Sequence, residues 1–185
     1  MKSSLTAVFF ISFFLFACKK DSEKDIITIQ GFKLTDNLGN QFGVNGNADD
    51  DWKLRNWTEL SAREQAFLGF ADNVTLSNTT TATIGEPVAY PNPCSSASIV
   101  YFNSSDSVKL KVALVDSRGT VYRTHAMKIK GGQNIAFDVS NRSEIPSGKS
   151  LRYYYSFSLA SQEHFKAGYG DIKVCDEASP FTGCF

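Results

Sequence analysis

The chain has 185 residues, with 19 Lys and Arg against 19 Asp and Glu, 42% hydrophobic and 13% aromatic residues, four Cys and two His. These counts exclude a nucleic-acid binder held by bulk positive charge, a disordered acidic tail, a disulfide-dense miniprotein and a metal enzyme built on several histidines. The patterning along the chain is more informative than the totals.

Lys2 opens a charged n-region, and residues 5–17 (LTAVFFISFFLFA) form a thirteen-residue stretch that is apolar but for Thr6 and Ser12. A spanning helix needs about 20 apolar residues, so this stretch is too short to cross a bilayer and reads as an export signal. It stops at Cys18, where the charged run KKDSEKD begins. Leu15-Phe16-Ala17-Cys18 resembles the lipobox of bacterial lipoproteins, although Phe16 is bulkier than that family usually carries there. The resemblance implies cleavage before Cys18, acylation of its thiol and new amino terminus, and residence in the cell envelope on a membrane, the outer membrane being the expected one. Burial of each CH₂ contributes about 0.8 kcal/mol, and more than one chain is needed for stable anchoring. The mature chain would keep 168 residues and 18 basic against 19 acidic side chains, which implies no electrostatic partner.

Residues 18–25 are expected to be the lipidated Cys and a charged tether, and residues 26–87 a small N-terminal module, β-rich or α+β. Ile27, Ile29, Phe32 and Leu34 approximate a strand, Asn37-Leu38-Gly39-Asn40 supplies turn chemistry, and Gln41 to Val44 returns as a second strand. Ser61-Ala62-Arg63-Glu64 matches a capping box and predicts one short helix. Residues 76–82 (LSNTTTA) read as an edge strand or a linker.

Residues 88–175 read as mostly strand. Val108, Leu110, Val112 and Leu114 alternate with Lys109 and Lys111, the period of a half-buried strand. Asp116-Ser117-Arg118-Gly119 predicts a turn, Val121 to Thr124 a return, Lys130-Gly131-Gly132-Gln133 a second turn, and Ile135, Phe137 and Val139 another strand. Pro146-Ser147-Gly148 makes a corner. Tyr153, Tyr155, Phe157 and Leu159 share one face of a long strand, with Arg152, Tyr154, Ser156 and Ser158 on the other, and residues 172–175 close the set. Short strands at near-regular spacing predict a mainly β protein, an antiparallel β-sandwich, with residues 176–185 as a tail.

In order, Tyr90-Pro91-Asn92-Pro93, Ile99 to Phe102, Asp116 with Arg118-Gly119, Gly131-Gly132, Phe137-Asp138 and Ile145-Pro146-Ser147-Gly148 resemble the C-terminal sorting domain of type IX secretion cargo. That domain is similar to the immunoglobulin-like module of flagellar hook-capping proteins. The resemblance covers about half the chain and implies an immunoglobulin-like sandwich. Three departures weaken its bearing on secretion: the lipobox, the CDEASPFTGCF extension, and Tyr153-Tyr154-Tyr155 where the family commonly has a Val-Tyr pair.

Candidate chemistry is sparse. Asn45, Asn47, Asp49 and Asp51 place oxygens at alternate positions, a weak calcium pattern that lacks the Gly and Glu of an EF-hand; no other cofactor is implied. Trp52, Trp57 and Tyr154 are the aromatic candidates for ligand contact, with core packing the competing reading for the Trp pair. Export favours disulfides: Cys175 with Cys184 is the favoured pair, and Cys94 with either is the competing one. His125 and His164 stand alone, and there is no G-x-S-x-G, no H-E-x-x-H and no Cys in a protease-like context. Glu59, Glu64 and Asp72 read as caps and solvated carboxylates rather than an acid pair. The expectation is a non-enzymatic, lipid-anchored envelope protein acting as a structural, adhesion or ligand-binding component. Its partners are the membrane and, as candidates, secretion or envelope proteins or surface glycans, with no nucleic acid. Type IX cargo sorted by its C-terminal sandwich is the alternative, and a small extracytoplasmic hydrolase or accessory subunit the second.

Overall fold

The alternating residues 108–115 do form a strand, but as the second half of a much longer one. In the computed structural model, which describes residues 26–176, strand β5 runs over Ala97–Asp116. It is the centre of the main sheet. Strand β4 (Val88–Tyr90) pairs with its first half, strand β7 (Ser150–Ser158) with its second half, and strand β6 (Val121–Asp138) follows it along the opposite side.

The ladder between β5 and β6 breaks register between Ser104 and Val108, opposite Gly131 and Ile129, so three residues of β5 face one of β6. A bulge of this kind bends the strand that carries it. The two halves of the ribbon fold over one another here, bringing Phe102 against Tyr155 and Phe157, and Phe137 against Tyr153. Val100, Phe102, Leu110, Val112, Leu114, Tyr153 and Tyr155 thus share one apolar core between two layers, as in a β-sandwich. The turn predicted at residues 130–133 is absent, and β6 runs straight through it. Its glycines serve the bend instead. Gly131 takes φ +70°, and a Cβ on Gly132 would fall 2.4 Å from the Tyr101 hydroxyl.

Strand β8 (Lys166–Lys173) lies beside β7 and begins well before the predicted residues 172–175. Gly168 and Gly170 disguise its start, and each is there for space. A Cβ on Gly170 would sit 2.1 Å from the Trp52 ring, and one on Gly168 2.4 Å from the Lys53 carbonyl. Strand β3 (Leu54–Arg55) pairs with β8 and ends the sheet.

Of the other elements predicted before residue 87, the hairpin and the helix form, but the first strand begins only at Gly31 and leaves Ile27 and Ile29 outside it. Strands β1 (Gly31–Thr35) and β2 (Gln41–Gly46) make the hairpin. Helix α1 (Ala62–Phe67) opens on the capping box, with Ser61 N–H donating to Glu64 Oε2 at 2.8 Å. The protein is mainly β, with antiparallel ladders and this one short α-helix among the described residues. Residues 76–82 form no named strand.

Pro87 marks no break in packing. Trp52 and Ile84 belong to the sandwich core. Ile27, Leu60 and Leu68 pack with Ala113, Val115 and Tyr154 in a second cluster on the other side of the same sheet. Segments from both sides of the expected boundary therefore build both cores. The expected leader, Cys18, the expected tether and Cys184 lie outside the described residues. Cys175 is disulfide-bonded and Cys94 is a buried free thiol, which removes the pairings that use Cys94.

Because the Trp52 ring lies where a Gly170 side chain would go, Gly170→Ala is expected to destabilise by at least about 2 kcal/mol through overpacking. Urea unfolding checks this: the midpoint should fall at unchanged m. An unchanged midpoint would show that the ring has room to move.

Candidate functional site

Strand β7 carries Arg152-Tyr153-Tyr154-Tyr155 in a row. Tyr153 and Tyr155 point into the sandwich core, as the alternation predicts. Arg152, Tyr154, Ser156 and Ser158 occupy the other face, as the alternation predicts, but all four are buried, including Tyr154, the candidate for ligand contact. The cause is the chain before residue 87. Residues near 26–30 and 57–72 cross this face and supply the Thr28 carbonyl to Arg152 and the Glu64 carboxylate to Tyr154.

Tyr154 is therefore not an exposed platform. It has no accessible surface, stacks on Phe67 at 5.2 Å between centroids, and donates its hydroxyl hydrogen to Glu64 Oε1 at 3.3 Å. Trp52 is core and lies parallel to Tyr155 at 6.1 Å. Trp57 is half-buried and stacks on His164 at 3.9 Å. A strand with polar residues on alternate positions looks amphipathic in sequence; only the covering segments reveal that both its faces are dry.

The most concentrated chemistry lies where Arg152 meets β8. Arg152 and Asp171 are direct register partners. Arg152 Nε and Nη2 donate to Asp171 Oδ1 and Oδ2, both at 2.6 Å, and Nη2 also reaches the Thr28 carbonyl at 3.2 Å. The guanidinium lies 4.1 Å from the centroid of the Tyr169 ring, and Arg55 4.7 Å from the same centroid. Asp51 sits beside the pair. Its Oδ1 accepts from the Asp171 backbone N–H at 2.5 Å and its Oδ2 from that of Lys33 at 3.2 Å.

Two buried carboxyls thus lie beside one buried guanidinium that is bonded to Asp171, and an uncompensated charge in such a place is costly. Burial pushes Asp171 up, against the hydrogen bonds and charge of Arg152, and the Arg152 guanidinium is held firmly protonated. Asp51 has no cation of its own at this distance. Burial first, then the negative charge of Asp171, pushes its carboxyl up to about 8. One proton on Asp51 balances the group near neutral pH. Above it opens a polar cleft of about 200 Å³, also lined by Thr28, Gln30, Asn47 and Asp50.

The calcium pattern does not assemble. Asp51 is turned inward onto two backbone amides, Asn47 Oδ1 accepts from the Asp49 N–H at 3.2 Å, and Asn45 lines a different cleft from Asn47 and Asp51. Alternate positions share a direction only while the chain stays extended, and β2 ends at Gly46.

A second polar cluster lies at the other end of β7. His164 Nδ1 is 2.9 Å from Ser156 Oγ, and the His164 N–H donates to Ser158 Oγ at 3.0 Å. Lys111 Nζ donates to the Phe70 and Leu68 carbonyls at 2.6 and 3.3 Å. Asp72 bridges Lys111 and Lys109 at 3.1 and 3.4 Å. Burial pushes His164 below the usual imidazole range, with Glu163 opposing and Lys111 and Lys109 adding to the effect. Ser156 is 1% exposed, so its hydroxyl is closed to a substrate. Glu59 and Glu64 close capping boxes, as expected. His125 lies exposed on β6.

Sequence reasoning missed Asp51, Arg152 and Asp171 as a group. A signal existed: aligning β7 with β8 places an Arg and an Asp directly opposite one another, which favours them as a cross-strand pair. Nothing in the sequence brings Asp51 to them.

The folded protein holds a proton on Asp51 that the unfolded chain gives up from about pH 4 upward. Its contribution to stability is fully present below the unfolded value and is lost as pH rises through about 8. His164 acts with the opposite sign, and only below about pH 6.5. Between pH 7 and 9, unfolding free energy measured with urea should therefore fall with pH, and Asp51→Asn should flatten the slope. An equal slope in both proteins would contradict this protonation.

No protein-family model and no curated protein matches the chain, so its function is read from its own residues.

Proposed function

We propose that the chain is a lipid-anchored cell-envelope protein, held through Cys18, whose fold acts without catalysis as a structural, adhesion or ligand-binding component. The observation that carries this reading is the apolar run of residues 5–17, ending on Leu-Phe-Ala-Cys and followed at once by a charged, non-periodic segment. The chain beyond that segment fits a tethered fold. Ile26 and Ile27, the first described residues, both donate backbone N–H bonds to the Ser117 carbonyl, at 2.8 and 2.9 Å. Among the described residues, no helix is long and apolar enough to cross a membrane.

The non-catalytic part rests on how the charged groups are used. Arg152 is spent on Asp171, Asp72 on Lys109 and Lys111, and Asp116 on Lys149 at 2.8 Å. The Ser156–His164 contact lies under cover. These arrangements hold segments together across the sheet. The cargo alternative asks for a sandwich separable from a passenger near Pro87, and the two shared cores weigh against that division.

Intact mass of the protein purified from membranes tests the reading. The expected species starts at an acylated Cys18 and ends at Phe185, and Cys18→Ala is expected to leave the membrane fraction. A chain without lipid, or one lacking the region after about Pro87, would overturn the proposal.

A further inference from the structure

Where the fold begins decides which end of it can meet a membrane. The bonds from Ile26 and Ile27 to Ser117 fix the start of the described chain on the hairpin that joins β5 to β6. This attachment is close-packed: Gly119 turns at φ +83°, and a Cβ there would fall 2.5 Å from Ile26 Cδ1 and 3.5 Å from the Phe67 ring. The sheet's bend, between Ser104 and Val108, lies at the opposite end of the second half of β5. Nine residues at about 3.4 Å rise put the two ends about 27 Å apart.

Eight links separate Cys18 from Ile26. Fully extended they span at most about 29 Å. The hairpin end is therefore held close to whatever Cys18 is anchored in. Its surface suits that position. Ile26 and Val121 are 42% and 44% exposed, two of the few large apolar side chains at the surface. Arg118 stands exposed between them in the turn. A cleft of about 380 Å³ opens beside them, lined by Ile27, Ile29, Ser117 and Lys149 among others. Apolar side chains beside the exposed Arg118 match the boundary between acyl chains and anionic headgroups.

We infer that the β5–β6 hairpin end, with Ile26, Arg118 and Val121, is a lipid-facing surface that rests on the bilayer, leaving the bend at residues 104–108 as the outward end. The inference rests on the lipid anchor proposed above. The anchor supplies attachment; the hairpin end supplies orientation.

The test uses the full chain purified with its lipid, its acylation first confirmed by mass, in nanodiscs whose headgroups carry a gadolinium chelate. Paramagnetic broadening of backbone amides reports distance from the lipid. Over the about 27 Å between the ends, broadening of the Gly119 and Val121 amides should exceed that of Ser105 and Gly131 by more than about tenfold. Val121→Asp should reduce the contrast. Inserting eight Gly/Ser residues after Asp25 should reduce it further, by doubling the maximum tether span to about 58 Å, while touching nothing in the fold. With acylation intact, uniform broadening, a reversed gradient, or no response to the longer tether would overturn the orientation and leave the anchor standing. An unacylated Cys18 would overturn both.

Discussion

A strand covered on both faces must find a partner for any charge it carries, and in this protein that strand is β7. On its core side the rings of Tyr153, Tyr155 and Phe157 pack with Phe102, Phe137 and Trp52, and the Tyr155 hydroxyl donates to the Lys53 carbonyl at 3.0 Å. Its other side carries Arg152, Ser156 and Ser158, each of which would cost free energy if buried alone. The structure answers each with a specific group: Asp171 for Arg152, His164 for the two serines. The covering segments are anchored through the same polar layer. Thr28 accepts from Arg152, Glu64 accepts from Tyr154, and the carbonyls of Leu68 and Phe70 accept from Lys111. Apolar contacts of Ile27, Leu60 and Leu68 complete the layer.

The consequence is that residues before Pro87 are cover for the sheet rather than an independent module. Trp52 makes the point from the other side: it fills the space left by Gly170 and stacks against Tyr155, so the sandwich core is completed by a residue from the first half of the chain. The remaining electrostatic demand falls on Asp51. With Arg152 committed to Asp171, a proton is the compensation at hand, and it makes this corner sensitive to pH.

Local signals in the sequence were reliable where the chemistry is local. The Ser61–Glu64 capping box and the turn of the β1–β2 hairpin depend on neighbours a few residues away and appear as expected. The period-2 pattern from Val108 to Leu114 does mark a strand, but not a half-buried one: Lys111, Ala113 and Val115 are buried on its other face. The failures share a cause. Gly131-Gly132 reads as a turn, yet it serves a fold in a continuous ladder, because the space it needs is set by Tyr101 on another strand. Gly168 and Gly170 hide the start of β8 for the same reason. Tyr154 reads as exposed because its strand neighbours are polar, and only contacts 87 and 90 residues away, to Phe67 and Glu64, bury it. The candidate lipid site at Cys18 is legible in sequence alone and lies outside the described residues.

The central claim is that residues 26–87 and the sandwich form one cooperative unit around β7. Native-state hydrogen exchange tests it most directly, by comparing the amides of Leu54 and Leu68 with those of Val112 and Tyr154. One unit predicts that all four exchange through the same global opening, with free energies agreeing within about 1 kcal/mol. Leu54 and Leu68 opening several kcal/mol more easily than the other two, at constant protection of β7, would make the cover a separate module and contradict the account.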